Sequence, residues 1–183
     1  IYVIDSIREN VKHPIGDILI ISPSSDVIIN LCKERNCRFI DENLVLPITR
    51  KDIDYFVDGM DRSGWLFQQL LKWGSVDFVN NEYFLVADDD TVFCRPQVFI
   101  NNGKIVFSVN NNLSHITYIK EYYKLLGKKV PALINFVSHH SMIKKSILLD
   151  LERSIEERFS EDWYKAIICS IDKTEASSFS EYD

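Results

Sequence analysis

The chain has 183 residues, which fits one domain of ordinary size, and 46% hydrophobic residues, enough for a real core. A formal net charge of −6 excludes a general nucleic-acid binder, which needs a basic footprint, while leaving room for a small phosphorylated ligand at one local site with a metal. No apolar run approaches the ~18–20 residues of a membrane span, and no signal peptide is visible.

The first segment, Ile1 to Val11, reads as helix and ends near His13-Pro14, where proline disfavours helix at the preceding residue. Asp17 to Ser22 is a short apolar run of the kind found in buried parallel strands. A turn rich in N-cap residues (Ser22-Pro23-Ser24-Ser25-Asp26) follows, then a helix over Val27 to Arg35 and a strand over Cys37 to Ile40. Strand, helix, strand is the opening of an α/β fold. Leu46 to Asp61 reads as a loop-rich connection, Gly64 to Gly74 as a compact helix and Tyr83 to Ala87 as a strand. Gln97 to Ile100 and Lys104 to Val109 flank Asn102-Gly103, a strong hairpin signal. Ile116 to Leu126, Ser141 to Arg158 and Asp162 to Ile171 complete the expected helices. The order predicts a mixed sheet flanked by helices, with a mostly parallel part meeting a smaller side. The chain starts at Ile1 without a methionine and stops at Asp183 in a Ser-rich stretch, so it is read as a fragment of a longer chain.

Cys32, Cys37, Cys94 and Cys169 lack the CxxC pairs of a zinc site. They read as buried small hydrophobes, and unpaired cysteines suit a reducing cytoplasm. His13, His115, His139 and His140 form no spaced metal set on their own.

The segment Phe84 to Val92 carries the strongest chemical signal: a hydrophobic strand delivers Asp88, Asp89 and Asp90 at its C-terminal end. Ligands bind at that edge in open α/β sheets. Three adjacent like charges need a positive partner, and Mg²⁺ or Mn²⁺, which take oxygen ligands, are natural candidates. In an extended segment alternate side chains share a face, so Asp88 and Asp90 are expected at one site, with Asp89 pointing elsewhere or binding through water. The competing reading is a solvated acidic turn.

A strand ending in Asp-x-Asp, followed by a short strand and a hairpin, resembles the DxD motif of GT-A glycosyltransferases. Arg62 to Lys72, Ala87 to Pro96 and Phe136 to Met142 extend the likeness: they are similar to bacterial glycosyltransferases of surface-polysaccharide loci, many known only as a domain of unknown function. The resemblance implies a single GT-A-like, Rossmann-like domain over residues 1–183. Residues 1–96 would hold the nucleotide sugar and 97–183 would face the acceptor. It also implies a nucleotide-diphosphate sugar donor, a glycan or lipid-linked glycan acceptor, and Mn²⁺ or Mg²⁺ as cofactor. Asp88 takes the ribose side and joins Asp90 at the metal, with Asp89 between them in the catalytic group. Two departures stand out: the opening strand of that fold is not found, and nothing after His140 supplies a C-terminal metal-binding His.

The helix after Arg62 has two arcs at ~100° per residue. Leu66, Phe67, Leu70 and Leu71 form the apolar one, and Trp65, Gln68, Gln69 and Lys72 the other. Amides and an aromatic plate suit a sugar, and Arg62 suits a phosphate. A surface helix with a snorkelling Lys and a half-buried Trp is the plainer alternative. His139-His140 precede the expected helix from Ser141, with its core stripe of Ile143, Ile147, Leu148, Leu151 and Ile155, and its N-terminus favours anions. They are expected to contact donor diphosphate or acceptor; capping or packing weighs equally, with Ser138 or Ser141 as N-cap. An inverting transfer needs a base. The late acids are Glu175, Glu181 and Asp183, and Glu181 is the residue chosen, because Ser178 to Asp183 resembles an acceptor-side segment; a solvated acid near a frayed end competes. The pairs Lys128-Lys129 and Lys144-Lys145 allow at most peripheral contact with anionic lipids at the inner face of the membrane. A metal-dependent nucleotidyltransferase, a phosphohydrolase and a non-catalytic binding module of a larger protein are the alternatives.

Overall fold

Helix α1 (Tyr2–Asn10) leads into strand β1 (Leu19–Ser22), helix α2 (Asp26–Glu34) and strand β2 (Arg38–Asp41) in the computed structural model, which describes residues 2–130 and 133–182. β1 and β2 run parallel from Leu19↔Arg38 to Ser22↔Asp41, as the strand–helix–strand pattern predicts. Arg35 closes α2 on α1 by donating to both carboxylate oxygens of Asp5, at 2.7 and 2.9 Å.

The connection that follows holds two single-turn 3₁₀ segments (Glu42–Leu44 and Arg50–Asp52) and a minimal hairpin of β3 (Phe56–Val57) and β4 (Met60–Asp61). It delivers helix α3 (Ser63–Gly74) into the main core. Leu66, Phe67, Leu70 and Leu71 are buried, as the apolar arc requires, but Gln69 and Trp73 are buried too. The helix is therefore enclosed on most sides, and its polar arc faces protein rather than open solvent, except at exposed Gln68.

Strand β5 (Tyr83–Ala87) pairs antiparallel with β8 (His140–Lys144), from Tyr83↔Lys144 to Ala87↔His140. The side chains of this ribbon alternate as strand geometry demands. Phe84 and its partner Ile143 pack on the main core, while Tyr83, Leu85 and Met142 pack on a second, smaller core built around Phe93 and Phe99. The ribbon is thus the seam between two cores. Beyond it, β6 (Ile100–Asn101) and β7 (Lys104–Ile105) form the hairpin signalled by Asn102-Gly103. Both turn residues have positive φ, +49° and +73°, the condition of the twisted two-residue turn that Asn-Gly favours.

Three helices close the fold: α4 (Ile116–Leu126), α5 (Lys145–Phe159) and α6 (Trp163–Ser170). α6 sends Trp163, Tyr164, Ala166 and Ile167 inward, and Trp163 meets Trp73 of α3 at 5.8 Å between ring centres. The final segment runs back over this core and buries Ser178 and Phe179.

Two sequence expectations need correction. The helix expected from Ser141 begins at Lys145, because residues 140–144 are drawn into pairing with β5. Of its expected core stripe, Leu148 and Ile155 are buried, but Ile143 lies in β8 and Ile147 is 61% exposed, and Glu152 is buried beside them. Neither Ser138 nor Ser141 caps a helix, and the His139-His140 pair does not sit at a helix N-terminus. The expected mixed sheet is the second correction. The fold is mixed α/β, but among the described residues the strands form four two-stranded pairs, with no large central sheet. The strands are short and β1 is only half-buried throughout, so its apolar run does not mark the middle of a sheet. No helix among the described residues is long and apolar enough to cross a membrane.

Candidate metal and ligand site

The site grows from the end of the β5–β8 ribbon. After the Ala87↔His140 pair, the Asp88 amide still donates to the His139 carbonyl at 2.9 Å, which extends the ladder by one bond. The chain then turns: the Thr91 amide donates to the Asp88 carbonyl at 3.0 Å, so Asp89 and Asp90 are the two central residues of a tight turn. The aspartates are therefore not extended, and it is the turn, not strand alternation, that brings Asp90 back beside Asp88. Just before the facing strand, His139 has φ +57°, a left-handed conformation that strains a residue with a Cβ. Its carbonyl also accepts from the Thr91 hydroxyl at 3.1 Å, which anchors the turn to the histidine.

Asp88, Asp90 and His139 each offer a ligand atom, and these atoms lie within 4.8 Å of one another. Asp88 Oδ2 is 3.1 Å from His139 Nδ1. The side chain of Asp88 is 17% exposed and that of His139 72%, so the group has a protected side and an open one. Two carboxylates and an imidazole are a fitting donor set for a divalent cation such as Mn²⁺, whose preference is for oxygen with tolerance of nitrogen. Asp88 Oδ1 is buried on the other side, where the Lys72 ammonium lies 2.5 Å away as its counter-charge.

Lys72 is the hub of the protected side. It rises from α3 with its side chain 10% exposed and forms a second ion pair with Glu181, whose side chain is 5% exposed. Its ammonium also donates to Gln69 Oε1 at 3.2 Å and Tyr182 Oη at 3.2 Å, and lies 4.9 Å from the Tyr182 ring centre. One buried cation thus serves two carboxylates. Burial pushes the Glu181 carboxyl up, and the Lys72 ammonium pulls against that shift. Burial, reinforced by the charges of Glu181 and Asp88, pushes the Tyr182 phenol well above its ordinary range, so it stays protonated.

The open side is a cleft of about 480 Å³ whose walls include Asp90, Thr91, Phe93, Arg95, His139 and His140. His140 is built into its floor: the imidazole stands edge-on to Phe93 and Phe99, at 5.2 and 5.6 Å between centres. Burial depresses its basicity, and its Nδ1 is buried without a hydrogen-bond partner.

The structure thus gathers Asp88, Asp90 and His139 directly, and attaches Gln69 and Glu181 to them through Lys72. Asp89 is exposed in the turn and lies outside the group of three. Arg62 is engaged elsewhere: its Nε donates to the Ala176 carbonyl at 2.8 Å, and its guanidinium covers the Trp65 ring at 4.5 Å. Trp65 in turn packs on Tyr55. Gln68 is exposed, as is Glu175, and Asp183 lies outside the described residues. Tyr182 was not singled out by sequence reasoning, and Lys72 was placed on the polar arc of the helix but given no role as a counter-charge to the aspartates. The signal for Lys72 was nonetheless present, since three adjacent carboxylates demand a cation and α3 carries this lysine on an otherwise uncharged face.

Fold and site together define a mixed α/β protein with a strand-end carboxylate–histidine group, a candidate cation site, at the mouth of an open cleft. The chain matches the sequence profile of a family of unknown function, DUF6492, over residues 3–183, and it belongs to that family. No curated protein and no solved structure matches it.

Proposed function

We propose that the chain is the nucleotide-sugar-binding part of a GT-A-type, divalent-cation-dependent glycosyltransferase. It would move a sugar from a nucleoside-diphosphate sugar to a glycan acceptor at the cytoplasmic side of the membrane. The observation that carries this reading is the meeting of Asp88, Asp90 and His139 at a cleft large enough to admit a diphosphate. Mn²⁺ or Mg²⁺ held by these three residues would neutralise the charge that develops on a departing nucleoside diphosphate. The imidazole tilts the choice toward Mn²⁺.

The chain's own residues divide the remaining work. Lys72 fixes Asp88 in direction without blocking its Oδ2 edge, which faces His139. Glu181 balances Lys72 and is closed off from solvent, so its part is to position the Lys72–Asp88 pair rather than to receive the acceptor proton. Asp89, exposed in the same turn, is the carboxylate left with access to an incoming hydroxyl. The test is a thermal-shift screen against UDP-, GDP-, CMP- and dTDP-linked sugars, with and without Mn²⁺. A ligand bound only by the folded state at a hundredfold excess over its Kd stabilises by about 2.7 kcal/mol. A shift with one nucleotide class that requires Mn²⁺ supports the reading, and shifts that ignore Mn²⁺ for every donor defeat it.

A further inference from the structure

The cleft contains a cation with a firm backbone and no ion-pair partner among the described residues. Arg95 lies in the irregular stretch between β5 and β6, which is pinned on both sides to α1. On one side, the Phe93 carbonyl accepts from Asn10 Nδ2 at 2.6 Å and the Phe93 amide donates to Ser6 Oγ at 3.0 Å. On the other, the Gln97 amide donates to the Asn10 carbonyl at 2.8 Å and its carbonyl accepts from the Lys12 amide at 2.9 Å. The Phe93 ring is buried in the small core between Phe99 and His140. The Gln97 side-chain amide donates to the Arg95 carbonyl at 3.3 Å, which ties the backbone of Arg95 itself. The arginine's backbone position is therefore set by its neighbours, while Arg95 is exposed, lines the cleft and pairs with no carboxylate among the described residues.

This contrasts with Arg62, which is spent on Ala176 and Trp65. It also contrasts with Lys72, which is enclosed by two carboxylates. Arg95 is the permanent cation of the cleft walls. Glu181 offsets Lys72, a divalent cation would offset Asp88 and Asp90, and Asp89 in the neighbouring turn offsets Arg95, so it is the place of Arg95 on the cleft wall, rather than net charge, that suits it to an anion. A guanidinium fork matches two phosphate oxygens at once.

We infer that Arg95 forms the phosphate-binding arm of the cleft, gripping the oxygens of a diphosphate whose other side meets the cation held by Asp88, Asp90 and His139. The inference rests on the reading of that group as a metal site. It gives the donor diphosphate a protein contact that the sequence assigned to Arg62.

The test uses inorganic pyrophosphate, which carries neither base nor sugar, and isothermal titration of the wild type, Arg95→Gln and Arg95→Lys. Mn²⁺ is titrated alone, then pyrophosphate in saturating Mn²⁺. Loss of a charge-assisted pair predicts that Arg95→Gln weakens pyrophosphate by about tenfold to a hundredfold while Mn²⁺ affinity holds. Arg95→Lys, a point charge without the fork, is expected between the two. Equal pyrophosphate affinity in wild type and Arg95→Gln overturns the inference and leaves the metal site standing. Loss of Mn²⁺ affinity in a folded Arg95→Gln overturns it differently, by making Arg95 a support for the carboxylates. A wild type that binds no Mn²⁺ defeats the metal reading and this inference with it.

Discussion

The two cores on either side of the β5–β8 ribbon are built to different standards. The main core interleaves α3, α5, α6 and the closing segment, with Leu66, Leu70 and Ile167 fully enclosed. The smaller one gathers around Phe93, Phe99 and Met142, and the stretch beyond it leaves Phe107, Val109 and Leu113 more than half exposed. The candidate site lies at the end of the ribbon that both cores share. Asp88 looks back to Lys72 in the well-packed half, whereas Asp90, His139 and Arg95 belong to the open half. A binding site gains from that division: a buried counter-charge holds one ligand rigidly while the cleft stays accessible.

The largest expected effect breaks the protected side. Lys72→Met leaves Asp88 and Glu181 buried without a counter-cation, and removing one partner of a buried pair costs about 3–5 kcal/mol. Urea unfolding should show that loss, and adding Glu181→Gln should return part of it. Saturating Mn²⁺ should stabilise Lys72→Met more than wild type, because the cation then meets an otherwise uncompensated Asp88. Equal stabilisation of the two would separate Lys72 from the metal group.

The main core also contains a group that lowers its stability. Glu152 on α5 is buried, its Oε1 lacks a hydrogen-bond partner, and burial pushes its carboxyl up to about 8, with the charges of Asp77 and Glu156 adding to the shift. The folded state holds this proton more tightly than the unfolded chain, whose glutamate titrates near 4.5. Below that value both states are protonated and the group costs nothing. The cost grows as pH rises from there and is complete above about 8. Glu152→Gln should therefore stabilise the protein on the order of 3 kcal/mol at pH 8 and change little at pH 4. Thermal unfolding at the two pH values checks this, and a gain independent of pH would contradict it.

On the open side, His139→Gly should separate backbone strain from ligand chemistry. Glycine accepts φ +57° freely, so stability should hold or rise by about 1 kcal/mol, while Mn²⁺ binding weakens by about tenfold or more. A His139 that serves only packing would show the first effect without the second. The smallest effect belongs to Asp5→Asn, which removes the α1–α2 ion pair. With side chains 35% and 46% exposed, the pair is worth at most about 1 kcal/mol, and the change should leave Mn²⁺ and pyrophosphate binding untouched.

The sequence made the local elements legible where period and punctuation agreed. The β1–α2–β2 unit, α3, α4, α6, β5 and the Asn102-Gly103 hairpin all lie close to their expected positions. It concealed β8, because Met142 and Ile143 join the apolar spacing of the helix behind them and only pairing with β5 makes residues 140–144 extended. That single element decides the site, since it carries His139 to Asp88. The aspartate group was legible from charge alone, but its geometry was not: whether Asp89 and Asp90 extend or turn depends on the Thr91 bonds to Asp88 and His139. The pairings of Lys72 with Glu181 and of Arg62 with Ala176 are long-range contacts that local spacing does not encode.

The proposed function stands on a divalent cation held by Asp88, Asp90 and His139. Mn²⁺ titration of the wild type and of Asp90→Asn, followed by the electron paramagnetic resonance of free Mn²⁺, decides whether it is there. One saturable site in the wild type, lost or weakened at least tenfold in a folded Asp90→Asn, is the predicted result. Identical Mn²⁺ uptake by the two proteins would contradict it.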